Sequence, residues 1–310
     1  MATIADEIKD SFRKGSAVTK LIYINLGVFL LVIILFGIYA LATPAAPIPK
    51  KNIFYGNFLN YLMLHTDLKL LITRPWGIIT YMFLHFEFLH ILFNMLWLFW
   101  FGRIFLHYLT EKQLYTTYLL GGIAGGVLLV LAYNVLPGLS DYLPALGASA
   151  SVSAIVIAIS FYSPDYSVYI PLIGPVKIKY IALLFIALDV LMIVNTNSAS
   201  GLGSNAGGHI AHLGGALYGY LFALQLKRGK DIGKSFSGWM DSLASLFSRK
   251  SRMRVSYKSK ASQMDDFEYN KFRAEHQKEI DRILDKIAKS GYDSLSKKEK
   301  ETLFKMSNNS

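Results

Sequence analysis

The sequence contains no cysteine and few charged residues. None of its 310 residues is Cys, and only 17% are Asp, Glu, Lys or Arg, whereas soluble proteins carry about a quarter. The absence of thiols excludes disulfides, cysteine nucleophiles and cysteine-ligated metal sites. Together with a hydrophobic content of 53%, the shortage of charge indicates a membrane protein.

The hydrophobic residues are concentrated before residue 227, and the remainder is polar and basic. This contrast predicts an all-α, polytopic membrane protein with a soluble helical tail. We expect a cytoplasmic segment at 1–20, a six-helix membrane domain at 21–227 and a basic tail at 228–310, with a helical hairpin at 265–305. The predicted spans are 21–42, 78–102, 114–136, 149–162, 180–194 and 208–226.

The first apolar segment has 22 residues, which make a helix of about 33 Å and cross the hydrocarbon layer. Its end, Ala40-Leu41-Ala42, resembles a signal-peptidase site, but the length favours a retained anchor over a cleaved signal peptide. The connection 43–77 is rich in proline and aromatic residues. We predict that it lies in the membrane interface, the alternative being an ordinary exposed loop.

Basic residues alternate between the connections, as the positive-inside rule expects. Both termini are therefore predicted to be cytoplasmic, although the first outer connection also carries lysine and arginine. In this arrangement Ser149 and His212 lie at matching depth near the outer face. The net charge of +11 favours contact with anionic headgroups over nucleic acid binding.

Two kinds of position stand out within the spans. The second span contains His85, His90 and Asn94; because His90 and Asn94 are four residues apart, they share a helix face. Burial of polar groups in a membrane suggests function, but hydrogen bonding between helices would also explain them. The fourth span opens on small residues around Ser149, and His212 in the sixth precedes Gly215.

Small residues allow close approach of helices, so Ser149 and His212 suggest a nucleophile and its base meeting inside the bilayer. A serine hydroxyl needs such a base. The start of a helix offers free backbone N–H groups to a developing oxyanion.

These motifs, taken in order, resemble those of the rhomboid intramembrane serine proteases over about residues 20–227. The motifs are Gly147-Ala148-Ser149-Ala150, His212 with Gly215 and Gly219, and His85 with His90 to Asn94 followed by Gly102-Arg103. The resemblance implies Ser149 as nucleophile, His212 as general base, and His90, Asn94 and the Ser149 N–H as oxyanion hole. It implies supporting roles for His85, Gly147, Gly215 and Gly219. It also implies transmembrane protein substrates and neither a metal nor another cofactor.

The sequence departs from the family pattern in the serine motif and beside the histidine. Ala150 replaces a glycine, and Ser153 stands where many relatives have an aromatic residue that stacks on the histidine. His209 competes with His212, but only His212 has glycines three and seven residues later. We attribute Asp189, in the fifth span, to packing rather than catalysis.

Two other functions are consistent with parts of the sequence. An inactive rhomboid-like protein would bind transmembrane clients without cutting them, but such proteins usually lose the serine or histidine. A transporter would use intramembrane histidines as a proton relay, but it would not need small residues around Ser149. We therefore expect a serine endopeptidase.

Overall fold

The computed structural model describes residues 3–44, 48–136, 139, 144–194, 206–247, 281–287, 289–296 and 298–300. The chain divides into two compact units, residues 1–247 and 248–310. The elements of the first unit are α1 (Ile4–Lys14), α2 (Ala17–Ala42), α3 (Lys50–Asn57), α4 (Leu68–Thr73), α5 (Gly77–Thr80), α6 (Phe88–Tyr108), α7 (Glu111–Val135), α8 (Ser149–Tyr162), β1 (Ser167–Ile170), β2 (Gly174–Lys177), α9 (Ile178–Val194), α10 (Ala206–Lys227) and α11 (Lys234–Phe247).

The first unit is an all-α membrane bundle, as predicted. Helices occupy all six predicted spans, as α2 and α6 to α10. Within the described residues, α2, α6 and α7 are long and apolar enough to cross a membrane, and α8 is a shorter apolar helix. That α8, α9 and α10 also span the bilayer stays a prediction.

The predicted start of the second span, at residue 78, is wrong. Residues 77–83 form α5 and a 3₁₀ turn, Leu84 is extended, and α6 begins at Phe88. The reason lies in tertiary contacts of Tyr81. Its backbone carbonyl accepts the N–H of Gly147 at 2.9 Å, and the Tyr81 side-chain hydroxyl donates to the Gly122 carbonyl at 2.6 Å. Contacts with the turn before α8 and with α7 thus hold this segment out of a continuous helix.

The core of the bundle is a close crossing of α8 with α7 and α10. A Cβ on Gly125 of α7 would lie 2.6 Å from the Ala150 Cβ. On α10, a Cβ on Gly215 would collide with the backbone of Ala150, and one on Gly219 would collide with that of Ala154. These two glycines therefore allow α8 and α10 to be in backbone contact, and their supporting role in the site stays a prediction.

The connection between α2 and α6 is built from short helices rather than irregular chain. It contains α3, a 3₁₀ turn and α4, and its aromatic residues pack on α2. Phe54 lies 5.3 Å from Phe36 of α2 and 5.1 Å from Phe58, measured between ring centroids. This aromatic packing ties the connection to the first helix; its position in the membrane interface stays a prediction.

A two-stranded antiparallel hairpin joins α8 to α9. Ser167 pairs with Lys177 at its open end. The Asp165 carboxylate contacts the Nζ atoms of Lys177 at 2.9 Å and Lys179 at 3.0 Å. Hydrogen bonds and charge from these two lysines lower the pKa of Asp165 to about 2. The carboxylate therefore stays ionised at neutral and mildly acidic pH.

The described part of the second unit contains two helical segments within the range of the predicted hairpin, and the hairpin itself stays a prediction. Helical residues at 281–287 and 289–290 end at Gly291, whose φ of 76° suits a helix stop. Ser296 caps the helical residues at 298–300, because its Oγ accepts the Glu299 N–H at 3.4 Å. Within the first of these segments, Ile283 is buried and Leu284 is exposed. Residues 265–280 and 301–305 lie outside the described residues.

The crossing of α8 and α10 predicts a large effect of one added methyl group. We expect Gly219→Ala to lower the free energy of unfolding by about 1–3 kcal/mol, because the methyl group would overpack against the Ala154 backbone. The thermal midpoint in detergent should fall by several degrees.

The matched control is Gly37→Ala in α2, where an added Cβ has no atom within 4 Å. Its midpoint should be unchanged or slightly raised, because alanine is the better helix former. Equal melting of both variants and the wild type would contradict the proposed packing constraint.

Candidate active site

The turn before Ser149 requires glycine at position 147. Gly147 has a φ of 128°, in the left-handed region that side chains avoid. A Cβ there would lie 2.7 Å from Cε1 and 2.8 Å from Nε2 of His90. The His90 ring therefore packs directly on this turn, and any larger residue would displace it.

Ser149 is the first residue of α8. The flanking Ala148 and Ala150 are buried, whereas Ser149 is partly exposed. The first-turn N–H groups of a helix lack intrahelical acceptors, and the positive end of the helix dipole lies there as well. The Ser149 hydroxyl is therefore positioned beside donors suited to an anion.

His85 connects the serine turn to α6. Its Nε2 accepts the N–H of Ala148 at 3.3 Å and lies 3.1 Å from Nδ2 of Asn94. Because the backbone N–H can only donate, Nε2 must be the unprotonated nitrogen, and the amide of Asn94 must also donate to it. This leaves the second amide hydrogen of Asn94 free for another acceptor. His85 itself is buried, so its role is to hold other groups.

A cavity of about 710 Å³ brings the predicted site residues together. Ser149, His212, His90 and Asn94 all line it, although they come from α6, α8 and α10. Its other lining residues are Tyr55, Met63, Leu89, Phe93, Trp97, Leu129, Tyr133, Pro144, Ala145, Leu146, Val152, Phe185, Gly207 and Gly208. Of the two competing histidines, His212 is the one that lines this cavity.

Asp189 contacts both histidines, a pair of contacts that the sequence did not predict. Its Oδ1 lies 2.9 Å from Nδ1 of His212 and 2.7 Å from Nδ1 of His209. The carboxylate is buried, with a side chain that is 7% exposed. The attribution of Asp189 to packing alone is therefore incomplete. A carboxylate in an apolar span needs a polar partner. Asp189 in the fifth predicted span was therefore the sequence signal that could have revealed these contacts.

An aromatic ring stacks on His212 despite the small residue at Ser153. The ring is Phe185 of α9, whose centroid lies 6.0 Å from that of His212 with planes at 27°. Ser153 instead donates to the carbonyl of Ser149 at 2.7 Å, within α8. The missing aromatic of the serine helix is thus compensated from a neighbouring helix.

The donor atoms of Asp189, His209 and His212 lie within 4.8 Å of one another, close enough for one cation. The separations of 2.7 and 2.9 Å from Oδ1 also match direct hydrogen bonds. Two Nδ1–H groups shared by one carboxylate oxygen account for the geometry without an ion.

Comparison with known proteins identifies the family of this chain. A family model described as the rhomboid domain matches residues 73–229, about half of the chain, a range that contains His85, His90, Asn94, Ser149 and His212. The chain belongs to the rhomboid family. A second model, a family of unknown function (DUF6576), matches residues 264–309 in the tail.

The rhomboid relationship extends to a plant protein. The chain is similar to "RHOMBOID-like protein 12, mitochondrial" of Arabidopsis thaliana, with 28% identity over 168 residues. The match covers 51% of this chain and 48% of the relative. The chain thus spans about half the length of the curated relative it matches.

The His85 network predicts a stability defect on truncation. His85→Ala would leave the Ala148 N–H and the Asn94 amide without their acceptor, at a cost of about 1–3 kcal/mol. We expect a lower thermal midpoint in detergent. The control is His107→Ala, at an exposed position near the end of α6, which should melt like the wild type. If His85→Ala had the same thermal midpoint as the wild type, the network would not stabilise the fold.

Proposed function

We propose that this rhomboid protein is an intramembrane serine endopeptidase. Ser149 is the nucleophile and His212 the general base. His90, Asn94 and the Ser149 N–H form the oxyanion hole. The observation that carries the proposal is the common cavity of Ser149, His212, His90 and Asn94, because acyl transfer needs these groups around one reacting carbonyl.

Acylation begins when His212 removes the hydroxyl proton of Ser149 and the oxygen attacks the scissile carbonyl. The protonated histidine then donates to the leaving amine as the peptide bond breaks, which forms the acyl-enzyme. Water, activated by the same histidine, attacks the ester and releases the second product. The partial exposure of Ser149 to the cavity is consistent with entry of both peptide and water.

The oxyanion hole draws on the two polar residues of α6. Asn94 is held by His85 and keeps one amide hydrogen to donate, and the His90 ring contacts the turn that leads to Ser149. Donors held in place before the reaction stabilise the developing charge without reorganisation. The small residues of this turn leave room for a substrate carbonyl.

The substrates are transmembrane proteins, cut near the outer face of a cell membrane. The substrate class is the one that membership of the rhomboid family suggests. The cut near the outer face agrees with the basic-residue pattern, which predicts cytoplasmic termini and Ser149 at the start of an inward-running helix. The lipid bilayer is the medium of the reaction, and neither a metal nor another cofactor has a part in it.

The proposal predicts the behaviour of three variants. Purified protein in detergent would be assayed with a transmembrane substrate and with a fluorophosphonate probe. Ser149→Ala and His212→Ala should each lower the cleavage rate by more than about 1,000-fold, because nucleophile and base act as a unit. His209→Ala should retain far more activity than His212→Ala, since His212 lines the cavity.

Each contrary outcome has a distinct meaning. If His209→Ala is inactive while His212→Ala cuts, the base is His209. If the wild type neither cuts nor reacts with the probe at Ser149, the chain is a client-binding rhomboid-like protein instead. Labelling of Ser149 without cleavage would indicate a competent nucleophile tested on the wrong substrate.

A further inference from the structure

Asp189 is a buried carboxylate to which the Ser149–His212 mechanism gives no role. It lies on α9, and its Oδ1 contacts Nδ1 of both His212 and His209. We propose that Asp189 is a positioning residue that orients His212. The base that acts on Ser149 is then a histidine held by an aspartate rather than a lone histidine. This inference rests on the proposed protease function.

The contact determines which nitrogen of His212 carries the proton. An ionised carboxylate only accepts hydrogen bonds, so Nδ1 of His212 must be protonated. The neutral ring then has its lone pair on Nε2, the nitrogen on the opposite side from Asp189. A general base must present an unprotonated nitrogen, and the carboxylate selects that tautomer before substrate arrives. It also stabilises the imidazolium formed during acylation.

Helix α9 holds the His212 ring from two directions. Phe185 stacks on the ring, and Asp189, four residues later and on the same face of the helix, accepts its N–H. The ring plane and the ring rotation are therefore both restrained by α9. Ser153, on α8, makes no such contact because its hydroxyl bonds within its own helix.

His209 completes the cluster by supplying a second donor to the same oxygen. It precedes His212 by one turn of α10, and its Nδ1 is 2.7 Å from Oδ1. Burial of a carboxylate is costly unless it accepts hydrogen bonds, and among the described residues Oδ1 has both histidines as partners while Oδ2 has none. His209 thus hydrogen-bonds Asp189, and Asp189 hydrogen-bonds His212. His212 lines the cavity, whereas Asp189 does not.

The test compares Asp189→Asn and Asp189→Leu with the wild type. Both should lower kcat by about 10- to 100-fold, which is less than the full contribution of a general base. KM should stay within about 2-fold, because the Asp189–His212 contact strengthens when the imidazolium forms in the transition state, so that kcat and kcat/KM fall together. The fluorophosphonate labelling rate should fall in parallel. If the Leu variant fails to fold, the nearly isosteric Asn variant carries the test.

Asp165→Asn is the matched control, because it removes the same charge from the exposed hairpin and should keep the wild-type rate. A second measurement separates orientation from mere stability. In a His212→Ala background, Asp189→Asn should cause no further loss of labelling, since the two residues act through one ring. A further loss there, or a raised KM at unchanged kcat, would overturn the positioning role.

Two remaining outcomes also decide the inference. Loss of wild-type activity after treatment with EDTA, restored by Zn²⁺, would mean that Asp189, His209 and His212 hold a cation instead. An active wild type matched in rate by Asp189→Asn would overturn this inference alone. An inert wild type whose Ser149 does not react with the probe would overturn the proposed function and this inference with it.

Discussion

The structure depends on the backbone contact between α8 and its neighbours. Ala150 and Ala154 face Gly215 and Gly219 of α10 so closely that a methyl group on either glycine would strike the α8 backbone. Inside a membrane, helices gain little from the hydrophobic effect when they associate, so van der Waals contact between small residues has to supply the packing. This crossing also brings the start of α8 beside the first turns of α10, which is where Ser149 and His212 lie.

Several polar groups in the bundle form small hydrogen-bond networks between segments. Tyr118 donates to the carbonyl of Met82 at 3.0 Å and receives the amide of Asn25 at 3.0 Å, which links α2, α7 and the segment before α6. His85 links the segment before α6 to the serine turn in the same way. An unpaired polar group costs most where water is absent, so these networks hold the irregular segments in one arrangement. The shape of the cavity follows from that arrangement.

Much of the site was predictable because its chemistry is local. The small residues around Ser149 predicted a helix that begins at this residue, and α8 does begin there. The glycines after His212 predicted a close crossing, and this is confirmed. The start of the second span was wrong, because a run of apolar residues does not reveal that the Tyr81 carbonyl bonds to a distant turn. Hydropathy measures the tendency to leave water, not the path of the backbone.

The sequence by itself determined the all-α membrane class, the order of the helices and the identity of the serine and the candidate histidines. These properties depend on residue type and short-range spacing. Only the tertiary structure decided which histidine lines the cavity and which groups hold it. Phe185 and Asp189 lie on a different helix from His212, 23 residues away in the case of Asp189, so their contacts depend on how α9 rotates and packs against α10. No local periodicity encodes that rotation.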